Sequence, residues 1–314
     1  MSHSLKTGMR HFFCFIILTV FLTGCSRIKF AYNQLDWVIP YYVENSVELT
    51  PNQSIYLEQQ VRQLLDWHCN SHLAAYADLL RSANNHFQNG TVNKENIQET
   101  LHQLELYWKE IKRQASPAIA NLLQTANDKQ LDALLATLTK RNKAWRDEYY
   151  SHTGQALQED YRRRMVVELE RWFGPLTASQ QLALADWGQQ FKPLRTEAIK
   201  ARAHWLASFR VLLRQRDDTS DFSAVLQQLL INPESIRTPE YQNGFEHNTK
   251  ISIALIARIG QQLNDVQRRH LARTSDSIAQ DFEQLACTEA STEPQTSGLL
   301  QSKEILFVAV PASS

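Results

Sequence analysis

Glycine and proline are scarce, nine of each in 314 residues, and long stretches lack both. A protein of short strands and tight turns needs many more, because turns recruit both residues for their backbone angles. Charge of one sign is also missing: 33 Lys and Arg stand against 33 Asp and Glu. Binding to nucleic acid leaves a basic excess in a sequence, so none is expected here. The longest apolar run, Phe12 to Leu22, is about half the roughly 20 residues of a spanning helix. No phosphate-cradling glycine loop, nucleophile elbow or zinc-protease motif occurs. The sequence therefore nominates no catalytic residue, metal ligand set or cofactor, and reads as non-catalytic.

What is abundant is helical periodicity. Leu57, Val61, Leu64, Leu65, Tyr76, Leu79, Leu80 and Phe87 form one apolar stripe, with His68 and His72 on it. Ile97, Leu101, Leu104, Trp108 and Ile111 step by four, three, four and three. Leu131, Leu134, Leu135, Leu138 and Trp145 give a third stripe, and Leu157, Tyr161, Met165, Leu169 and Trp172 a fourth. Each predicts an amphipathic helix with its apolar face toward a core. One uninterrupted helix is expected from about Ser179 to Gln215, a short one over Phe222 to Leu230 and a last one ending near Leu285. Breaks are expected at Asn89-Gly90, Ser116-Pro117, Thr153-Gly154, Gly174-Pro175, Asp217-Asp218 and between Asn232 and Asn243. The fold class is all-α, a multi-helix bundle, with Arg162-Arg163-Arg164 on the wet side of a helix.

The N-terminus has a different character. Lys6 and Arg10 precede the apolar run, which ends in Leu22-Thr23-Gly24-Cys25. Basic, then apolar, then small is the layout of a secretory signal, and Leu22 to Cys25 resembles the lipobox of bacterial lipoproteins. That resemblance implies cleavage before Cys25 and diacylation of its thiol, with Leu22, Thr23 and Gly24 recognised by the peptidase. Ser26 at the next position implies the outer membrane. Two acyl chains hold a protein stably where one holds it marginally. The expected division is a signal over 1–24, a lipidated membrane-proximal segment over 25–48, a helical domain over 49–287 and an unfolded tail over 288–314. The apolar Ile305 to Val310 in that tail has no explanation. Without the signal, 31 bases face 33 acids. With Cys14 removed and Cys25 acylated, Cys69 and Cys287 remain, and in an oxidising periplasm they are expected to pair.

One helix opening recurs. Leu49-Thr50-Pro51-Asn52-Gln53 and Leu176-Thr177-Ala178-Ser179-Gln180 both read Leu-Thr-x-x-Gln. Ala126-Asn127-Asp128-Lys129-Gln130 and Leu263-Asn264-Asp265-Val266-Gln267 are looser copies. The cap side chain accepts from the amide three residues on, and the Gln reaches back to the cap amide. The pattern resembles the Leu-Thr-x-x-Gln motifs of Spy/CpxP-type periplasmic chaperones, which implies a holdase as one functional reading. A second resemblance rests on the lipobox, Ala31-Tyr32-Asn33-Gln34-Leu35-Asp36-Trp37, the Leu49-Thr50 opening and Arg171-Trp172-Phe173-Gly174-Pro175-Leu176-Thr177. Over Leu22 to Cys287 the chain is similar to an uncharacterised family of Gram-negative lipoproteins.

Close to the anchor, Trp37, Tyr41 and Tyr42 are expected to pack under the first long helix, the headgroup level of the bilayer being their other place. His68 and His72 lie one helical turn apart, a spacing metals use. With no glutamate between them and no acidic ligand nearby in sequence, they are read as half-buried histidines beside the disulfide. The expected partners are the membrane, through the lipid, and an envelope protein of unknown identity. A holdase is the alternative, and an unrecognised helical enzyme a further one.

Overall fold

A computed structural model describes residues 27–150, 155–217 and 221–287. Among them are twelve α-helices and no strand. They are α1 (Arg27–Tyr32), α2 (Leu35–Glu44), α3 (Pro51–Ser71), α4 (Leu73–Gln88), α5 (Lys94–Thr125), α6 (Asp128–Tyr150), α7 (Gln155–Phe173), α8 (Ala178–Gln190), α9 (Arg195–Arg214), α10 (Phe222–Ile231), α11 (Pro239–Gln261) and α12 (Asp265–Leu285). A single 3-10 turn covers Pro233–Ile236. The all-α expectation holds. The signal, Cys25, the 151–154 break, residues 218–220 and the tail lie outside the described residues.

Two apolar clusters organise the bundle. In one, Leu131 and Leu135 of α6 and Leu206, Phe209 and Leu213 of α9 meet Phe222 and Leu226 of α10 and the C-terminal part of α5. In the other, Leu169 and Phe173 of α7, Leu184 and Trp187 of α8, Ile259 of α11 and Leu271 of α12 pack together. A small group, Val92, Ile97, Ile253 and Ala257, joins α5 to α11.

The recurring openings set the relative placement of four helices. Gln53, the third residue of α3, accepts at Oε1 from Thr50 N (2.9 Å) and from Gln130 Nε2 (2.7 Å). Gln130, the third of α6, accepts from Asn127 N (2.9 Å) and from Gln53 Nε2 (3.5 Å). Each amide also donates to the carbonyl two residues before the other helix's cap, Gln53 to Thr125 O (3.2 Å) and Gln130 to Glu48 O (2.7 Å). The same scheme joins α8 to α12. Gln180 and Gln267 exchange bonds of 3.1 and 2.8 Å, accept from Thr177 N and Asn264 N, and donate to Gln262 O and Pro175 O. All four glutamines are buried, Gln180 completely. A primary amide has two donors and two acceptor lone pairs, and here all are used. Two helix N-termini, both electropositive, are thus brought together through oxygens that accept from each.

Three expectations fail, each for a local reason. The helix drawn from Ser179 to Gln215 is two, α8 and α9, because Pro193 pushes the residue before it toward extended backbone. The opened backbone is satisfied by buried Asn248 of α11, which accepts from Lys192 N (2.9 Å) and donates to Lys192 O (2.7 Å). The break at Ser116-Pro117 is absent, and α5 runs straight through. Ser116, Ala120 and Leu123 are buried there, so packing overrides the amide that proline removes. The long stripe through His68 and His72 changes helix at His72, the junction of α3 and α4.

Gly260 marks a close approach of α11 to the α4–α5 connection. A Cβ there would lie 2.5 Å from Phe87 Cε1 and 2.9 Å from Val92 Cγ1. Gly260→Ala is expected to lower the unfolding free energy by about 1–3 kcal/mol through overpacking, read by urea denaturation against wild type.

Candidate functional site

The two ends of the folded chain meet at one corner. Cys287, just past α12, is disulfide-bonded to Cys69 near the end of α3, with Cα atoms 5.2 Å apart and a separation of 218 positions in sequence. The expected pairing is the one found. Cys287 N also donates to Cys69 O (3.2 Å). The short α1 lies on α12 through Lys29, whose Nζ donates to Gln284 Oε1 (2.5 Å) and lies 3.9 Å from Asp281. Arg81 of α4 pairs with Glu283 of α12 through both guanidinium nitrogens.

Inside this corner sits a polar and aromatic cluster. His68 and His72 stack with ring centroids 5.4 Å apart, inclined by 11°. His68 Nδ1 lies 3.0 Å from the Tyr32 hydroxyl and Nε2 lies 3.1 Å from the Tyr76 hydroxyl. His72, almost fully buried, has Nδ1 2.7 Å from Ser71 Oγ and Nε2 3.0 Å from Glu110 Oε2. Local spacing carries no sign of that carboxylate, because Glu110 arrives from α5, 38 positions away. The four imidazole nitrogens face different protein partners, so the stack does not converge on a common point. Among the described residues no group of three metal-ligating side chains forms. His68 is partly buried and His72 almost fully, and both lie beside the disulfide.

Burial sets the electrostatics. Desolvation, with His72 as a second cause, pulls His68 from 6.5 down to about 4. Desolvation, with Asp66 next, raises the Tyr32 hydroxyl to about 12, and burial with Tyr107, Tyr32 and Glu110 raises Tyr76 to about 12. His68 and both phenols are thus neutral at pH 7, which suits a joint that holds α1 on α3.

Two surfaces differ from expectation. Trp37, Tyr41 and Tyr42 of α2 do not pack under α3. They stand 55%, 56% and 54% exposed, with Phe30 of α1 at 68%, while Pro40 takes the buried position against the body. The apolar Val38 and Ile39 suggested a hidden stretch, but α2 is amphipathic and turns its aromatic rings outward. In α5, Leu101, Leu104 and Trp108 were counted as core-facing, yet they are 44%, 47% and 57% exposed. Only Ile97 of that stripe is buried, because the neighbouring elements cover the N-terminal turn and the C-terminal half of this 32-residue helix.

The cap residues Leu49, Thr50, Gln53, Leu176, Thr177 and Gln180 belong to the glutamine junctions and not to a surface site. Leu22, Thr23, Gly24 and Cys25 lie outside the described residues. Among the described residues no helix is long and apolar enough to cross a membrane.

Residues 45–242 match a family of unknown function (DUF6279), and the chain belongs to that family. The match begins beyond the lipobox and α2. No curated protein and no solved structure matches the chain.

Because His68 titrates near 4 in the fold and near 6.5 when unfolded, the unfolded chain binds more protons between those values. Stability contributed by this group is present above pH 6.5 and falls as pH drops toward 4. Urea midpoints at pH 7 and pH 5 are expected to differ less in His68→Gln than in wild type. Equal differences would mean that His68 is not desolvated.

Proposed function

We propose that this member of the family is a non-catalytic lipoprotein, held to the periplasmic face of the outer membrane through Cys25, that binds another envelope protein along α5. The observation that carries the reading is the unpartnered stripe Leu101, Leu104 and Trp108. These residues are spaced i, i+3 and i+7, so they share one helical face, and all three are over two-fifths exposed. Single exposed apolar residues are ordinary, but aligned ones on a helix are what a partner's groove or helix reads. Anchoring confines such a surface to the membrane zone and raises its effective concentration for a neighbour there.

The anchor itself rests on the lipobox resemblance and on the position of α1, which begins two residues after Cys25. Leu-Thr-x-x-Gln gives little support to a holdase, because Gln53 and Gln180 are buried in helix junctions. An enzyme is disfavoured by the corner cluster, where the histidine nitrogens are engaged by protein groups.

The test is photo-crosslinking in growing cells from a probe at position 104 of the full chain. A stoichiometric partner is expected, and its yield is expected to fall at least tenfold when Trp108→Ser is added. Because the stripe is exposed, Trp108→Ser should shift stability by only about 0.5 kcal/mol. A scatter of unfolded clients would favour the holdase, and no adduct would remove the α5 surface. Cys25→Ala should leave an uncleaved precursor, and normal maturation would remove the anchor.

A further inference from the structure

Aromatic rings left in water cost free energy until another surface takes them, and rings that cluster mark such a surface. Among the described residues five aromatic side chains stand exposed, and four of them are Phe30 of α1 and Trp37, Tyr41 and Tyr42 of α2. Phe30, Trp37 and Tyr41 are spaced by seven and then four, the spacing of one helical face. The turn at 33–34 preserves that phase. Asn33 N donates to Lys29 O (3.0 Å), Val38 N donates to Gln34 O (2.9 Å), and Gln34 keeps right-handed helical backbone.

The rings are held in place. Trp37 Nε1 donates to Gln34 Oε1 (2.6 Å). The Trp37 and Tyr41 rings meet edge to face with centroids 6.4 Å apart, as do Tyr41 and Tyr42 at 5.9 Å. α2 packs on α3, with Pro40 buried and Val38, Ile39 and Val43 half-buried. α1 is fastened too: the Tyr32 hydroxyl lies 3.0 Å from His68 Nδ1 of α3, and Lys29 Nζ donates to Gln284 Oε1 of α12 (2.5 Å). The strip therefore moves with the body.

Its position in the chain and its charge point to one occupant. Only Ser26 separates Cys25 from α1, so the Cα atoms of Cys25 and Phe30 are at most about 13 Å apart. Asp36 and Glu44 of α2 are exposed, and Lys29 is engaged by Asp281 (3.9 Å) and Gln284. Nothing cationic on α2 draws an anionic surface. What it presents is a fixed group of rings with polar edges, the kind of side chain that settles at the headgroup level of a bilayer.

We propose that Phe30, Trp37, Tyr41 and Tyr42 dock on the headgroup layer of a phospholipid bilayer, through their rings and not through charge. This rests on the anchored reading above, because acyl chains on Cys25 are what bring a bilayer to within reach of Phe30. It adds a second contact beside the first, so that the body is oriented on the membrane and does not swing about Ser26.

The test replaces the acyl anchor with an artificial one. The chain from Ser26 onward, retaining every described helix, carries a hexahistidine tag before Ser26 and is held on vesicles by nickel-chelating lipid. Asn33→Cys, at an exposed position between Phe30 and Trp37, is labelled with a dye after Cys69 and Cys287 have paired. Lipids spin-labelled at the headgroup then quench the dye on contact. Quenching is expected on phosphatidylcholine vesicles, without any need for phosphatidylglycerol and without loss in high salt. Phe30→Ser and Trp37→Ser should each lower the ratio of docked to undocked chain about fivefold, and Trp37→Tyr should keep most of it. Circular dichroism establishes that each variant is folded. Absence of quenching, quenching only with phosphatidylglycerol, or indifference to the serine substitutions overturns the proposal. A dye response to protein concentration without vesicles also overturns it, by assigning the strip to a second copy of the chain. The tag stands in for the lipid, so an error about Cys25 leaves this outcome untouched and is read separately by Cys25→Ala.

Discussion

Two buried pairs of glutamine side chains hold four helix N-termini against one another, and the placement of the bundle's other helices follows from them. With so few glycines and prolines, the chain has little turn chemistry with which to fix how one long helix meets the next. The Gln53–Gln130 and Gln180–Gln267 pairs do this work through hydrogen bonds in which every donor and acceptor has a partner. A buried amide with a missing partner costs on the order of 1–3 kcal/mol, so the arrangement tolerates few alternatives in register. Each pair lies next to an apolar cluster, and the cluster's packing keeps water away from the amides.

From those junctions follows the position of the exposed surfaces. α3, fixed at its start by Gln53, carries at its far end the disulfide and the His68–His72 stack. α1 is laid on that corner by Tyr32 and Lys29, so the segment next to Cys25 is part of the folded body. The exposed α5 stripe lies on a different helix.

Much of the helix content was legible because the apolar spacing is regular and the caps are explicit: Thr50, Thr177 and Asn264 each open a helix at the expected residue. The disulfide was legible from cysteine number. What sequence could not show was which stripe finds a partner. Leu101, Leu104 and Trp108 have the same spacing as buried Leu131 and Leu135, and only the tertiary arrangement decides that one face is covered and the other is not. The same holds for Glu110, which reaches His72 from another helix, and for Arg202 of α9 and Trp145 of α6, whose side chains meet. The four helix openings were visible singly, but their pairing was not, because mutual recognition of two glutamines leaves no mark in spacing.

The most direct test of this account is a double-mutant cycle on the α8–α12 junction, with Gln180→Leu, Gln267→Leu and the double variant unfolded in urea. If the two amides bind each other, the double variant will be less destabilised than the sum of the singles by about 1–3 kcal/mol. Additivity to within about 0.5 kcal/mol would show that the glutamines act independently, and the junction would then not be what sets these helices in place.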